Sequence, residues 1–147
     1  MKKCFITFLI LFVYISIDAN NEIEADKILG TWLTYKKDGK VEIFKSGGKY
    51  YGRLLWATDL YEKGSQVLKK DVLNPNPKLR NRLIQNFVFM NDFEYNDGVW
   101  ENGKIYDAST GKEYDCYMNF VNGKIAISAF VGLHIFGRTE EWVRISN

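Results

Sequence analysis

Apolar and polar residues alternate with a period of two along most of the chain. Tyr114, Cys116, Met118 and Phe120 fall on one face of their segment, and Asp115, Tyr117 and Asn119 on the other. Ile125, Ile127 and Ala129 oppose Lys124, Ala126 and Ser128, while Val41 and Ile43 oppose Lys40 and Glu42. Successive side chains of an extended strand point to opposite sides, so one dry and one wet face marks antiparallel strands around a single core. Turn signals punctuate the runs at Asp38-Gly39, Ser46-Gly47-Gly48, Asn96-Asp97-Gly98, Ser109-Thr110-Gly111 and Asn122-Gly123. Asn, Asp and Gly accept the positive φ of tight hairpins. About eight strands at hairpin spacing result. The predicted architecture is all-β: an eight-stranded antiparallel up-and-down barrel, whose closure leaves no exposed edge, with a β-sandwich as the second choice.

One long gap breaks the pattern, from Thr58 to Leu83, between the third and fourth strands. It holds both prolines, Pro75 and Pro77, in the stretch "VLNPNPKLRNR" (Val72–Arg82). Leu60, Tyr61, Val67, Leu68, Val72, Leu73, Leu79 and Leu83 make it too apolar for a simple disordered linker. Asn76 fits an N-cap and Pro77 the first helical position, which predicts one short helix over Pro77–Leu83, about two turns, in a lid packed on the barrel. Proline is tolerated there because no ladder hydrogen bond is lost.

The N-terminus changes the domain count. Met1-Lys2-Lys3 is basic, Cys4–Ile17 is mostly apolar, and Asp18-Ala19-Asn20 ends the run. This is the layout of a secretory signal peptide over 1–19, with cleavage expected after Ala19. Cys4 precedes the apolar run and so is not placed for lipidation. Residues 20–147 then form one exported domain, periplasmic or secreted, with no stable membrane anchor. Without the signal the net charge is +1, which gives no electrostatic footprint for nucleic acid. Cys116 is then the only cysteine, so no intramolecular disulfide forms, and stability rests on a core built from 19 of the 23 aromatic residues.

Two end motifs resemble the lipocalins and the wider calycin group. Gly30-Thr31-Trp32 opens the first strand, and Arg144 lies in the last strand two residues after Trp142. The resemblance implies that the Arg144 guanidinium stacks across the Trp32 indole and closes one barrel end. The chain from residue 30 onward also resembles the bacterial domain-of-unknown-function family 2147. The stretches that carry this are "GTW" (Gly30–Trp32), "YGRLLW" (Tyr51–Trp56), "DVLNPNPKLRNR" (Asp71–Arg82), "WENGKIYDASTGKEYDC" (Trp100–Cys116) and "GLHIFGRTEEWVR" (Gly132–Arg144). The family's Asp-x-x-Asn-Pro-x-Pro segment matches at Asp71, Asn74, Pro75 and Pro77, followed by Arg80 and Arg82. Leu83-Ile84-Gln85-Asn86 and Ala108 depart from its usual pattern. Membership implies an exported lipocalin-like barrel and supplies no reaction.

Candidate chemistry is sparse. His134 is the single histidine and has no second ligand at metal spacing, so no metal or other cofactor is expected. Cys116 falls on a dry face, as an inert thiol would. Asp107, Glu113 and Asp115 bracket a turn, where short polar side chains bond the backbone. Asp71, Asn74, Arg80 and Arg82 either hold the lid shut or present an arginine to a ligand carboxylate. Tyr50, Trp56, Trp100, Tyr106 and Tyr114 either line a pocket or fill the barrel. Tyr50 and Trp56 share a parity and are expected to be in or out together. The first functional expectation is a small hydrophobic or amphipathic ligand, a fatty acid or lipid, held inside the barrel without catalysis. The second is a filled barrel whose lid or rim contacts a cell-envelope partner. An enzyme would require a polar cluster deep in a pocket near Asp71, Arg80 or His134. Oligomeric state is not encoded in any of these features.

Overall fold

The computed structural model describes residues 20–132 and 137–146. The expected signal segment and His134 lie outside the described residues. Eight strands follow one another: β1 Gly30–Leu33, β2 Gly39–Ser46, β3 Lys49–Ala57, β4 Val88–Asn96, β5 Val99–Asp107, β6 Lys112–Val121, β7 Lys124–Phe130 and β8 Arg138–Ser146. Each pairs antiparallel with the next, and β8 returns to pair with β1, so the sheet is a closed up-and-down barrel. The alternation in β6 and β7 carries into the wall at Cys116, Met118, Ile125 and Ile127, which are buried, but Ser128, expected on the wet face, is buried too and bonds the Thr139 hydroxyl.

Elsewhere the period of two is interrupted. Met90 and Phe93 are both buried although three apart, as are Trp100 and Gly103. Each pair straddles a residue with positive φ, Asp92 (62°) and Asn102 (60°). One extra residue per strand re-aims the next side chain inward and bends the sheet. Gly103 is required by the packing that results, because a Cβ there would lie 2.3 Å from the Phe93 ring.

Half of the barrel is solid. Trp32, Tyr50, Phe93, Trp100, Met118 and Ile125 fill it, with Tyr50 and Trp100 edge to face at 6.4 Å. A segment with no clear sequence signal seals this end: residues 20–25 are helical and run into a 3-10 turn at Asp26–Ile28. Ala25 and Ile28 are buried against the core. The Trp32 indole donates to the Ile28 carbonyl (2.9 Å) and the Trp100 indole to the Ala25 carbonyl (3.0 Å). Arg144 lies opposite Trp32 in the ladder, with its guanidinium 4.2 Å from the indole centroid, and donates to the Leu29 and Lys27 carbonyls. The Arg144–Trp32 stack that the end motifs imply thus lies at this end, where Gly30 opens β1.

The β3–β4 connection is less helical than its residues suggest. Pro77–Leu79 makes one 3-10 turn, with the Asn76 side chain capping the Lys78 amide at 3.1 Å. A second turn is precluded because the chain reverses at once. Arg82 accepts at its carbonyl from the Asp71 amide (3.1 Å), and Leu83 pairs in a bridge with Lys70.

Candidate ligand cavity

The other half of the barrel is open. A cavity of about 840 Å³ occupies it, within the size range of small-molecule sites. Val41, Leu54, Ile105, Ile127, Ala129 and Trp142 supply apolar wall, and Val72, Leu73, Ile84 and Phe87 enter from the β3–β4 connection. Val41, Ile127 and Trp142 also belong to the packed core, so they mark the floor between the solid and open halves. Polar groups are few in the wall and denser at the mouth. Tyr114 stands opposite Ile105, and Glu140 opposite Ile127. Glu140 pairs with Arg138 at 2.8 Å, and Lys69 with Asp59 at 2.5 Å. Exposed lining residues such as Glu62 and Val72 open the cavity to solvent.

The "DVLNPNPKLRNR" stretch is a latch beside this cavity. Asp71 has no exposed surface and is fully engaged. Its Oδ2 accepts from Asn74 Nδ2 (2.7 Å) and from Arg82 Nε (2.9 Å) and an Arg82 terminal nitrogen (2.8 Å), and its Oδ1 from the Tyr106 hydroxyl (2.6 Å). Arg80 Nε donates to the Asn74 carbonyl at 2.8 Å. The Arg82 guanidinium also lies over the Phe87 and Tyr106 rings, at 5.0 and 5.6 Å. Burial first, and the Asp71 bond second, pushes the Tyr106 hydroxyl up to about 12, so it remains a proton donor to Asp71 at all ordinary pH. The β5–β6 turn clasps the latch from the other side. Gly111 has φ of 68°, and a Cβ there would stand 2.2 Å from the Leu73 carbonyl oxygen.

The residues expected to bind a ligand therefore separate into four groups. Tyr106 and Tyr114 line the cavity. Tyr50 and Trp100 lie in the solid half, their polar atoms taken by Asp26 and Ala25. Asp71, Asn74, Arg80 and Arg82 do not line the cavity: Asp71, Asn74 and Arg82 bond one another, and Arg80 is exposed, donating to the Asn74 backbone carbonyl. Trp56 is out on the surface, with Lys40 Nζ 5.8 Å from its ring, while Tyr50 is buried. The shared-parity expectation fails at a register shift between Lys40 and Val41 on the paired strand, which turns Trp56 outward. Trp142 was the wall residue most open to inference. It shares parity with Arg144, whose inward direction the end motif implies.

Asp107 and Cys116 keep bland roles. Asp107 accepts from the Ser109 amide and hydroxyl and from the Thr110 hydroxyl. Burial pushes the Cys116 thiol up to about 12, far from nucleophilic range. No cluster of His, Cys, Asp and Glu able to hold a metal occurs among the described residues.

A closed eight-stranded antiparallel barrel, sealed at one end by an arginine–tryptophan stack and hollow at the other, is a protein of lipocalin-like architecture. The chain belongs to the bacterial family described as uncharacterized protein conserved in bacteria, domain of unknown function 2147, whose model matches residues 30–144. Among solved structures it is similar to protein HP1028 from the human pathogen Helicobacter pylori, described as belonging to the lipocalin family. That likeness has 31% identity and a TM-score of 0.70, and covers 82% of this chain and 84% of that one. No curated protein matches.

Proposed function

We propose that this protein is an exported binder of a small hydrophobic or amphipathic molecule, held in the open half of the barrel. The observation that carries this reading is the cavity of about 840 Å³ with its apolar wall, lying over a sealed floor. Apolar burial supplies affinity at roughly 25 cal/mol per Å² removed from water, and the few polar groups set orientation. The described lipocalin membership of the Helicobacter pylori neighbour supports the same reading. Residues 1–19 serve in it as a cleaved signal, and 20–147 as the single exported domain. Cleavage after Ala19 keeps the helical segment that seals the barrel. A purely protein-binding role on a filled barrel fits less well, although Val67, Val72 and Leu73 are exposed on the connection.

The test is binding of N-phenyl-1-naphthylamine, a neutral fluorescent hydrophobe, to the wild type and to Leu54→Trp. The larger ring fills space beside Val41, its cross-strand partner. Affinity is expected to fall by about tenfold or more while circular dichroism stays that of the barrel. Equal affinity in both proteins places the hydrophobe elsewhere and sinks the reading. The mass of protein recovered from the periplasm tests export, with a mature chain beginning at Asn20 expected.

A further inference from the structure

Charge is distributed unevenly between the two ends of the barrel, although the net charge from Asn20 onward is only +1. The connections at the open end, residues 34–38, 58–87, 108–111 and 131–137, carry eight Lys and Arg against four Asp and Glu. The stretches at the sealed end, 20–29, 47–48, 97–98 and 122–123, carry one Lys against four Asp and Glu. Ion pairing sharpens the contrast. Lys27, Lys45, Lys49 and Lys124, in or beside the sealed end, each meet a carboxylate. Lys36, Lys37, Lys63, Lys70 and Lys78, all exposed at the open end, have no carboxylate partner among the described residues. Apolar side chains stand among them: Tyr35, Val67, Val72, Leu73 and Val131 are each more than half exposed. These five come from three separate connections around the cavity mouth, which Thr34, Lys70, Val72 and Leu73 line.

We propose that this open-end face docks on an anionic phospholipid surface, with its lysines against the headgroup phosphates and its apolar tips in the interface. The inference goes beyond the cavity reading: it concerns the face in which the cavity opens, and it stands or falls separately. Lysines near an anionic leaflet are attracted to it, and apolar side chains interleaved with them gain burial at the headgroup boundary. A nearly neutral molecule with segregated charge is also oriented, because the field that draws the open end repels the sealed one. The carboxylates of this face do little to oppose that. Asp59 is paired with Lys69, and Asp71 is buried against Arg82, which leaves Asp38 and Glu62 facing six exposed cations. The pattern suits lipid better than a protein partner. A protein interface gathers its apolar residues into one desolvated core from which lysine is depleted. Here the apolar tips are dispersed, with Lys36 and Lys37 directly after Tyr35 and Lys70 two places before Val72.

The test uses the chain from Asn20 onward, which carries every strand of the closed barrel, so that the apolar run at 4–17 binds no lipid itself. Flotation with phosphatidylcholine vesicles containing phosphatidylglycerol is compared with flotation on phosphatidylcholine alone. Binding to the anionic vesicles should be about tenfold tighter or more, and should weaken at least about tenfold between roughly 20 and 300 mM salt. Lys36→Glu with Lys37→Glu, neither of which lines the cavity, should lose roughly tenfold or more. Lys49→Glu with Lys124→Glu makes the same change in net charge beside the sealed end and should alter binding by less than about threefold. A nitrobenzoxadiazole label on Val67→Cys should shift blue on the anionic vesicles, and one on Ile23→Cys, at the sealed end, should not. Cys116 is buried and leaves the label to the new thiol. Failure to float with the anionic vesicles at low salt overturns the inference and leaves this face to a protein partner. Equal losses in the two charge-reversed pairs, or an Ile23 label that shifts as far as the Val67 one, also overturn it, because the molecule then adsorbs without a docking face. If N-phenyl-1-naphthylamine does not bind while the open end docks as described, the cavity reading falls and this inference stands.

Discussion

Asp71 shows how much one residue can decide. A carboxylate with no exposed surface is tolerated because three side chains donate to it, one of them the Arg82 guanidinium. Removing it leaves Arg82, Asn74 and Tyr106 short of an acceptor at once, although the Arg82 side chain is 31% exposed and partly recovered by water. Asp71→Ala should therefore cost about 2–4 kcal/mol in urea denaturation. Arg80→Ala, which removes one bond from an exposed side chain to the Asn74 carbonyl, should cost about 1 kcal/mol or less. A ligand-contacting role for Arg80 predicts the reverse order of effects on binding. The motif was visible in the amino-acid order, yet its job was not. A carboxylate, an amide and two guanidiniums within twelve positions suit a latch and a ligand clamp equally. Direction is settled by the Lys70–Leu83 bridge and by Tyr106, which is 35 residues away from Asp71 in the chain.

At the scale of elements, alternation and turn signals made about eight strands readable, and single-residue insertions account for most of what was not. Asp92 and Asn102 look like ordinary polar positions within β4 and β5, and nothing local announces that their φ is positive. The same device on the β2–β3 ladder separates Trp56 from Tyr50. Turns were more legible than their contacts. Gly111 closes the β5–β6 hairpin as its sequence suggests, but its approach to the Leu73 carbonyl couples that hairpin to the latch. Gly111→Ala meets two penalties: a left-handed backbone costing roughly 1–2 kcal/mol for an L-residue, and a backbone oxygen that must move. The latch should yield before the barrel does. Hydrogen exchange is expected to show faster exchange at the Asp71 and Asn74 amides, with amides of the β6–β7 ladder protected as before. Uniform loss of protection across the sheet would mean that the latch and barrel unfold as one unit.

The whole molecule is a barrel with unlike ends, and the difference arises outside the strands. Eight strands around one core were readable; whether that core was hollow was not, because the answer depends on residues 20–28, a polar stretch without alternation. Asp26 anchors this segment. Its Oδ1 accepts from the Tyr50 hydroxyl at 2.6 Å and from Lys45 at 3.0 Å, and Lys45 also reaches Glu22. Burial acts to raise the Asp26 carboxyl, but the bonds from Tyr50 and Lys45 outweigh it and hold the group below its ordinary value of 3.8. The bond to Asp26 raises Lys45 above 10.5, and burial together with Asp26 raises Tyr50 above 10.0. The signs follow from linkage. A depressed carboxyl stabilises the fold above pH 3.8, and that contribution disappears as pH falls through the lower folded value. The raised Lys45 and Tyr50 stabilise it below about pH 10, and that part disappears as pH rises through their folded values. The seal should thus hold between about pH 4 and 10 and loosen at both extremes, ahead of the barrel. Release takes the Ile28 and Ala25 carbonyls from Trp32 and Trp100 and wets both indoles, so tryptophan emission should shift red while far-ultraviolet circular dichroism stays constant. Asp26→Asn keeps the size of the group and removes the charge that both partners recognise. It should shift emission partway already at pH 7 and flatten the acid limb of the titration. An acid limb identical to that of the wild type would show that the seal is held by Ala25 and Ile28 packing alone.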